Sequence, residues 1–496
     1  MSASDTRAGW LQPPPDGGGF RGRAARGAGV TSAAQLWRLA LQIGSTLVLA
    51  RLLSPEEFGL VGMVLAVTAL ADQLKDAGLA NAVVQRRDVR QDQVSALFWI
   101  NSGIGLALGL VVAAMAPLLA WFYGRPELVP LTLALSAVYV VGGLSVQHNA
   151  LLLRRMRFST VALREVVAQT AGVVAAVTAA LLGAGVWSLV VMYLVAAVMR
   201  TVVVWLACSW RPSRPAVHVE GLRGLLTFGG DVTGFTVLNY LARNADSILI
   251  GRFFGAAALG LYGRAYSLVL MPLQQVSQPL GPVMLSTLSR LQDHPGRFRA
   301  AWVAGLSRVA LVGLPLVAVL VALVDVAVPV VLGSAWSGAA PLFQVLAVAG
   351  AAQLVGASSG WLYMSTGRTR PMLLWALWTR PLVVLSFVAG LPWGTTGVAA
   401  GYAAVTLLLL VPGMWNASRG TPVRVRDGLG AVWRPVVVAA VAGAGALAGR
   451  AAPGGGDLAA LLVGLLGALL ATVATVLVWP SVRAQLVDTV RAVRTR

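Results

Sequence analysis

Residues 50–62 read ARLLSPEEFGLVG and residues 251–263 read GRFFGAAALGLYG; at an offset of 201 the arginine, both glycines and the leucine between them fall in register. Carried back into the preceding apolar segments, the same offset pairs Gln35 with Thr236, Arg38 with Asn239, Gln42 with Arg243 and Ser45 with Asp246. Each set is spaced three, four and three residues, which on a helix gathers it into one polar stripe along an otherwise apolar rod. Later landmarks repeat with a small drift in offset: Tyr123-Gly124 against Leu332-Gly333, Pro130-Leu131 against Pro341-Leu342, and Arg157 against Arg368. The chain reads as a duplicated helical membrane bundle.

Composition agrees. Hydrophobic residues make up 57% of the chain and charged residues 11%, with a mean hydropathy of +0.78, far outside the range of soluble domains. Uncharged stretches run from Ser95 to Gly124, Val166 to Met199, Val326 to Gly367 and Pro381 to Ser418. A crossing needs about 20 helical residues, so the longer stretches each hold a hairpin, with Gly183-Ala184-Gly185, Gly333 to Gly338 and Gly394 to Gly397 as turns. Apolar runs and breaks predict an all-α polytopic protein of fourteen spans. Residues 1–28, rich in Pro, Gly and Arg, are expected to form a flexible basic tail and not a cleaved signal. Spans 1–6 fall in 29–210, spans 7–12 in 211–420, and spans 13–14 with a basic tail in 421–496, outside the duplication and read as an appendage.

The arginines orient this bundle. With the N-terminus cytoplasmic, tails and even-numbered connections hold 27 of the 38 basic residues, and the other side receives only Arg51, Arg125, Arg252, Arg264 and Arg450. Both termini are therefore expected in the cytoplasm. The net charge of +20 follows from this topology and from contact with anionic lipids; it calls for no nucleic acid partner.

Ionisable side chains inside spans are costly and usually face a cavity or a partner. In span 7, Thr236, Asn239, Arg243 and Asp246 share a face, flanked by Asn244; the bland alternative is a structural Arg243–Asp246 pair. The matching stripe on span 1 favours a hydrated pathway. Arg308 and Arg380 lie well within spans 9 and 11 as anion contacts; Asp72, Lys75 and His148 at inner span ends suit a gate or a coupling site as well as interfacial packing, and Asp246 is a further candidate for ion coupling. There is no GxxxxGK[ST] loop and no GxSxG elbow, and three histidines and one cysteine do not supply a usual zinc site. No cofactor, metal or catalytic residue is expected. Uphill movement would have to draw on an ion gradient, of protons or sodium, or on the membrane potential.

The motifs LARLLSPEEFGLVGM (49–63), DAGLANAVVQRRDV (76–89), ALLLRRMRFS (150–159), LARNADSILIGRFFGAAALGLYGRAYSLVLM (241–271) and VLGSAW (331–336) together resemble the bacterial polysaccharide transporter family, over about residues 30–420. These are Wzx-type flippases, within the superfamily that also holds multidrug extruders and lipid II flippases. The resemblance implies two six-helix lobes around a central cavity that moves a polyprenyl-diphosphate-linked oligosaccharide across the bacterial inner membrane by alternating access. It also implies work beside polysaccharide polymerases and glycosyltransferases in exopolysaccharide, capsule or O-antigen synthesis. Cationic cavity residues are common in that family, and Arg38, Arg243, Arg308 and Arg380 are the positions that could serve here. The other reading is an ion-coupled drug or cation extruder, which would want an acidic, aromatic-lined cavity. An integral-membrane glycosyltransferase would need a large outward loop, and the outward connections are too short for one.

Overall fold

The computed structural model describes residue 10 and residues 20–75, 83–84, 89–214, 222–452, 456–480 and 482–483, with side chains except at 20–28, 30–32, 69, 72–75 and 222–243. The described residues form helices and no strands: α1 (Phe20–Leu52), α2 (Pro55–Lys75), α3 (Gln91–Ala114), α4 (Ala116–Tyr123), α5 (Leu128–Gly143), α6 (Val146–Arg154), α7 (Phe158–Leu181), α8 (Trp187–Ala207), α9 (Leu222–Ser277), α10 (Leu280–Arg290), α11 (Pro295–Leu332), α12 (Ala339–Ser365), α13 (Thr369–Gly390), α14 (Gly394–Ser418), α15 (Val425–Arg450) and α16 (Asp457–Val478). Ten helical stretches among the described residues are long and apolar enough to cross a bilayer, and one of them, Thr369–Ser418, holds both α13 and α14. The sequence-based figure of fourteen is higher; α1 and α2 are not among the ten.

The duplication is written in the backbone. The first motif breaks at Ser54, where the Glu57 carboxylate accepts from the Ser54 amide at 2.6 Å and from its hydroxyl at 2.9 Å, a capping box that starts α2. At the same offset the second motif has Gly255, at φ 83° and ψ −178°, a conformation open only to glycine, and there α9 kinks. One copy caps with side chains and the other bends with glycine. Further along, Met156 (φ 55°) precedes Arg157 (ψ 55°), and Gly367 (φ 69°) precedes Arg368 (ψ 55°), so α7 and α13 are entered through the same turn.

The chain divides into two compact units, 1–259 and 260–496, with the boundary just beyond the Gly255 kink and later than residue 210. In the first unit α7 and α8 form a hairpin whose turn uses Gly183 and Gly185 at positive φ, and α1 lies along α7. Close approach of α3 and α5 depends on Gly105 and Gly143: a methyl group on Gly105 would lie 2.8 Å from the Tyr139 carbonyl oxygen. The two motifs touch each other, because a methyl on Gly59 would overlap the Ala256 carbonyl oxygen and one on Gly251 would lie 3.2 Å from Met63.

Helix α1 starts at Phe20, and Trp10 is only 4% exposed: its indole N–H donates to Ser209 Oγ at 2.7 Å, and the Arg155 and Arg157 guanidiniums stand 4.8 Å from its ring. Aromatic burial and cation–π attraction hold that residue in place. The rest of residues 1–19 lies outside the described residues.

In the second unit α15 is no appendage. It runs beside α11 in extensive contact and is pinned near both ends: Arg299 pairs with Asp427, and Arg450 Nη1 reaches Asp325 Oδ2 at 3.2 Å, an oxygen that also accepts from Gln344 at 3.2 Å. Small residues let α15 and α16 pack tightly, with Gly445 and Gly449 against Gly467 and Gly464. Helix α16 in turn exposes Leu462, Leu466, Leu469, Leu470 and Leu477, a surface suited to lipid. Asp427 also accepts from the Arg424 amide at 2.9 Å. Asp427→Ala should therefore cost roughly 1–3 kcal/mol, read as a lowered unfolding midpoint in detergent, and Asp427→Asn, which keeps the amide acceptor, should cost less.

Candidate functional site

On α1, Gln35, Arg38 and Gln42 are exposed and Ser45 is half-buried, its hydroxyl donating to the Gln42 carbonyl at 3.1 Å. The same face continues to Leu49 and Leu53, which are buried against Val61, Ala176 and Leu189. One face is thus apolar and packed toward its C-terminal end, polar and open toward its N-terminal end. No residue between 33 and 48 is buried. This N-terminal half makes a polar tie to its neighbour: Trp37 Nε1 donates to Thr170 Oγ1 on α7 at 3.1 Å.

Near that level the α7–α8 hairpin carries a charge cluster. Glu165 pairs with Arg164 beside it, and its Oε2 accepts from Arg200 Nε on α8 at 3.3 Å. The pairing follows from the turn: a hairpin centred on residues 183–185 sets position 165 opposite position 200. Glu165 is 21% exposed and Arg200 41%, so one carboxylate holds two guanidiniums while Arg200 keeps much of its surface open. Arg38 follows Trp37 on α1, and Thr170 lies five residues beyond Glu165 on α7, so Arg38, Arg164, Arg200 and Glu165 fall on neighbouring stretches of α1, α7 and α8, three arginines to one carboxylate. Such a group favours an anion, and guanidinium forks match phosphate oxygens.

Glu165, Arg164 and Arg200 were not singled out in the sequence, although a signal was present. Glu165 and Arg200 are the residues that bound the uncharged stretch 166–199.

The other candidates are placed as follows. Asp246 is buried, and its Oδ1 accepts from the Ser247 amide at 2.6 Å, with Asn244 half-buried nearby in sequence. The side chains of Thr236, Asn239, Arg243, Asp72 and Lys75 lie outside the described residues. Arg308 on α11 and Arg380 on α13 are half-buried in the second unit. His148 is fully buried in an aromatic box, stacked on Trp205 at 4.4 Å with the Phe98 and Trp210 rings edge-on to it, an arrangement that favours packing. Asn101 and Gln147, also fully buried, have side-chain amide atoms with no hydrogen-bond partner among the described residues, which marks a polar interior at this end of the unit. No group of three or more metal-ligating side chains occurs among the described residues.

Residues 48–341 match the family described as "Polysaccharide biosynthesis protein". The chain belongs to this family. Among its relatives is the lipopolysaccharide biosynthesis protein WzxC of Escherichia coli K12, 27% identical over 425 residues that cover 84% of each chain. Among solved structures, the lipid II flippase MurJ in an inward closed conformation superposes with a TM-score of 0.68 at 12% identity, covering 89% of this chain and 97% of that one. An inward-facing multidrug resistance MATE transporter of the MOP superfamily gives 0.57 at 16% identity, covering 78% and 94%. At these identities the structural likenesses speak for the fold.

Proposed function

We propose that this polysaccharide biosynthesis protein is a flippase that carries a polyprenyl-diphosphate-linked oligosaccharide across the bacterial inner membrane, with Arg38, Arg164 and Arg200 taking the diphosphate. The observation that carries this reading is the Glu165-held arginine pair on α7 and α8, beside the open polar face of α1. A diphosphate and several sugars do not cross hydrocarbon unaided, because stripping water from them is very costly. Guanidiniums held at the inner half of the bundle replace that hydration, while the lipid tail stays in the bilayer. Glycosyltransferases supply such a substrate and a polymerase consumes it, which makes those enzymes the natural partners. The drug-extruder reading fits the fold, but a cavity for cations would not place two guanidiniums on one carboxylate.

Arg38→Ala should abolish surface polysaccharide while leaving membrane insertion intact; full export by this variant rejects the role assigned to Arg38. Transport that responds to neither a proton nor a sodium gradient would count against ion coupling. Where it does respond, Asp246→Asn should leave substrate binding in place and remove the gradient dependence of flipping in proteoliposomes.

A further inference from the structure

The second unit holds an aromatic group that the diphosphate reading does not use. Tyr262 and Tyr266 on α9 stack nearly parallel, with ring centroids 6.2 Å apart and planes at 9°. The hydroxyls of Tyr266 and Tyr402 on α14 lie 3.4 Å apart, Gln353 Nε2 on α12 donates to the Tyr402 oxygen at 3.1 Å, and the Phe387 ring of α13 lies 5.4 Å from that of Tyr402. Four helices contribute. Tyr262 and Phe387 are buried behind, at 1% and 2% exposure, while Tyr266, Gln353 and Tyr402 are half-buried.

Depth separates this group from an interfacial tyrosine belt, where rings sit at headgroup level. Gln353 lies one residue past the middle of α12 (Ala339–Ser365), about 20 Å from either end. An amide there is costly in hydrocarbon, so it belongs to a polar interior. The chemistry on offer is ring faces together with hydroxyl and amide groups that both donate and accept. A pyranose is the complementary shape: one face of C–H bonds sits on the negative face of an aromatic ring, and its rim of hydroxyls pairs with a mixed donor–acceptor set. A drug-like cation is best met by a carboxylate and a phosphate by guanidinium, whereas the side chains named here are neutral.

We infer that Tyr266, Tyr402 and Gln353 form a sugar subsite that takes one pyranose ring of the lipid-linked oligosaccharide, apart from the arginines that take its diphosphate. This rests on the flippase reading and adds to it a division of labour: anion recognition in the first unit, sugar recognition in the second.

The test uses the full chain purified from membranes of its own organism, with the retained lipid pool itself as the probe, read by native mass spectrometry. In Tyr402→Phe, which keeps the ring packing, and in Gln353→Leu, the ratio of sugar-bearing to sugar-free polyprenyl diphosphate should fall about tenfold, the loss of roughly one hydrogen bond. Total retained polyprenyl diphosphate should stay within about twofold of wild type by the same scale. An unchanged ratio in both variants, or equal loss of both lipids, overturns the sugar subsite and leaves the flippase reading standing. Wild-type protein that retains no polyprenyl diphosphate overturns the flippase reading and the subsite with it.

Discussion

Replacing Arg200 with alanine is expected to cut export about tenfold to a hundredfold, the loss of one charge-assisted hydrogen bond to phosphate at about 1.5–3 kcal/mol. Arg200 is the more open of the two guanidiniums on Glu165, and it faces its partner through Nε alone, at 3.3 Å. That geometry orients the side chain and leaves its terminal nitrogens for an anion. Arg200→Lys keeps the charge and loses the fork, so it should fall between wild type and alanine. The measurement is flipping of a labelled lipid-linked sugar in proteoliposomes, with circular dichroism to confirm helix content. Equal rates for wild type and alanine would remove Arg200 from the substrate path.

Gly59→Ala should be the most damaging single methyl group among the described glycines. Its Cβ would overlap the Ala256 carbonyl oxygen, and backbone cannot rotate away as a side chain can. Relief requires separating α2 from the Gly255 kink of α9, at a cost of about 3 kcal/mol, the upper end for overpacked sites. The expected result is a sharp fall in folded yield after detergent extraction. Gly103→Ala is the control, because nothing lies within 4 Å of a methyl group there. If the two variants are recovered equally, the contact between the repeated motifs is not a close one.

Much of this was readable from residue order. The helix breaks at residues 53–54, 183–185, 333 and 394 coincide with glycine or Ser-Pro punctuation, because a rod in hydrocarbon stops only where its backbone is capped or bent. The polar stripe on α1 was likewise legible, since a spacing of three and four residues fixes a helical face whatever surrounds it. What escaped notice was the role of charges at the edges of apolar runs. Glu165 and Arg200, 35 positions apart, look like two span boundaries until the hairpin folds and sets them side by side.

The order of the rods, the duplication and the uneven placement of arginine are properties of the chain itself, because hydrophobic period and turn chemistry act over a few residues. Tertiary structure decided the rest: that Arg155 and Arg157 both reach the Trp10 ring, that α15 is riveted to α11 by Asp427 and Arg450, and that three polar side chains from three helices meet around Tyr402. Contacts of that kind depend on how each rod is rotated and how far it slides along its neighbour. Rotation and slide are set by small residues and by packing across hundreds of positions, which no local pattern records.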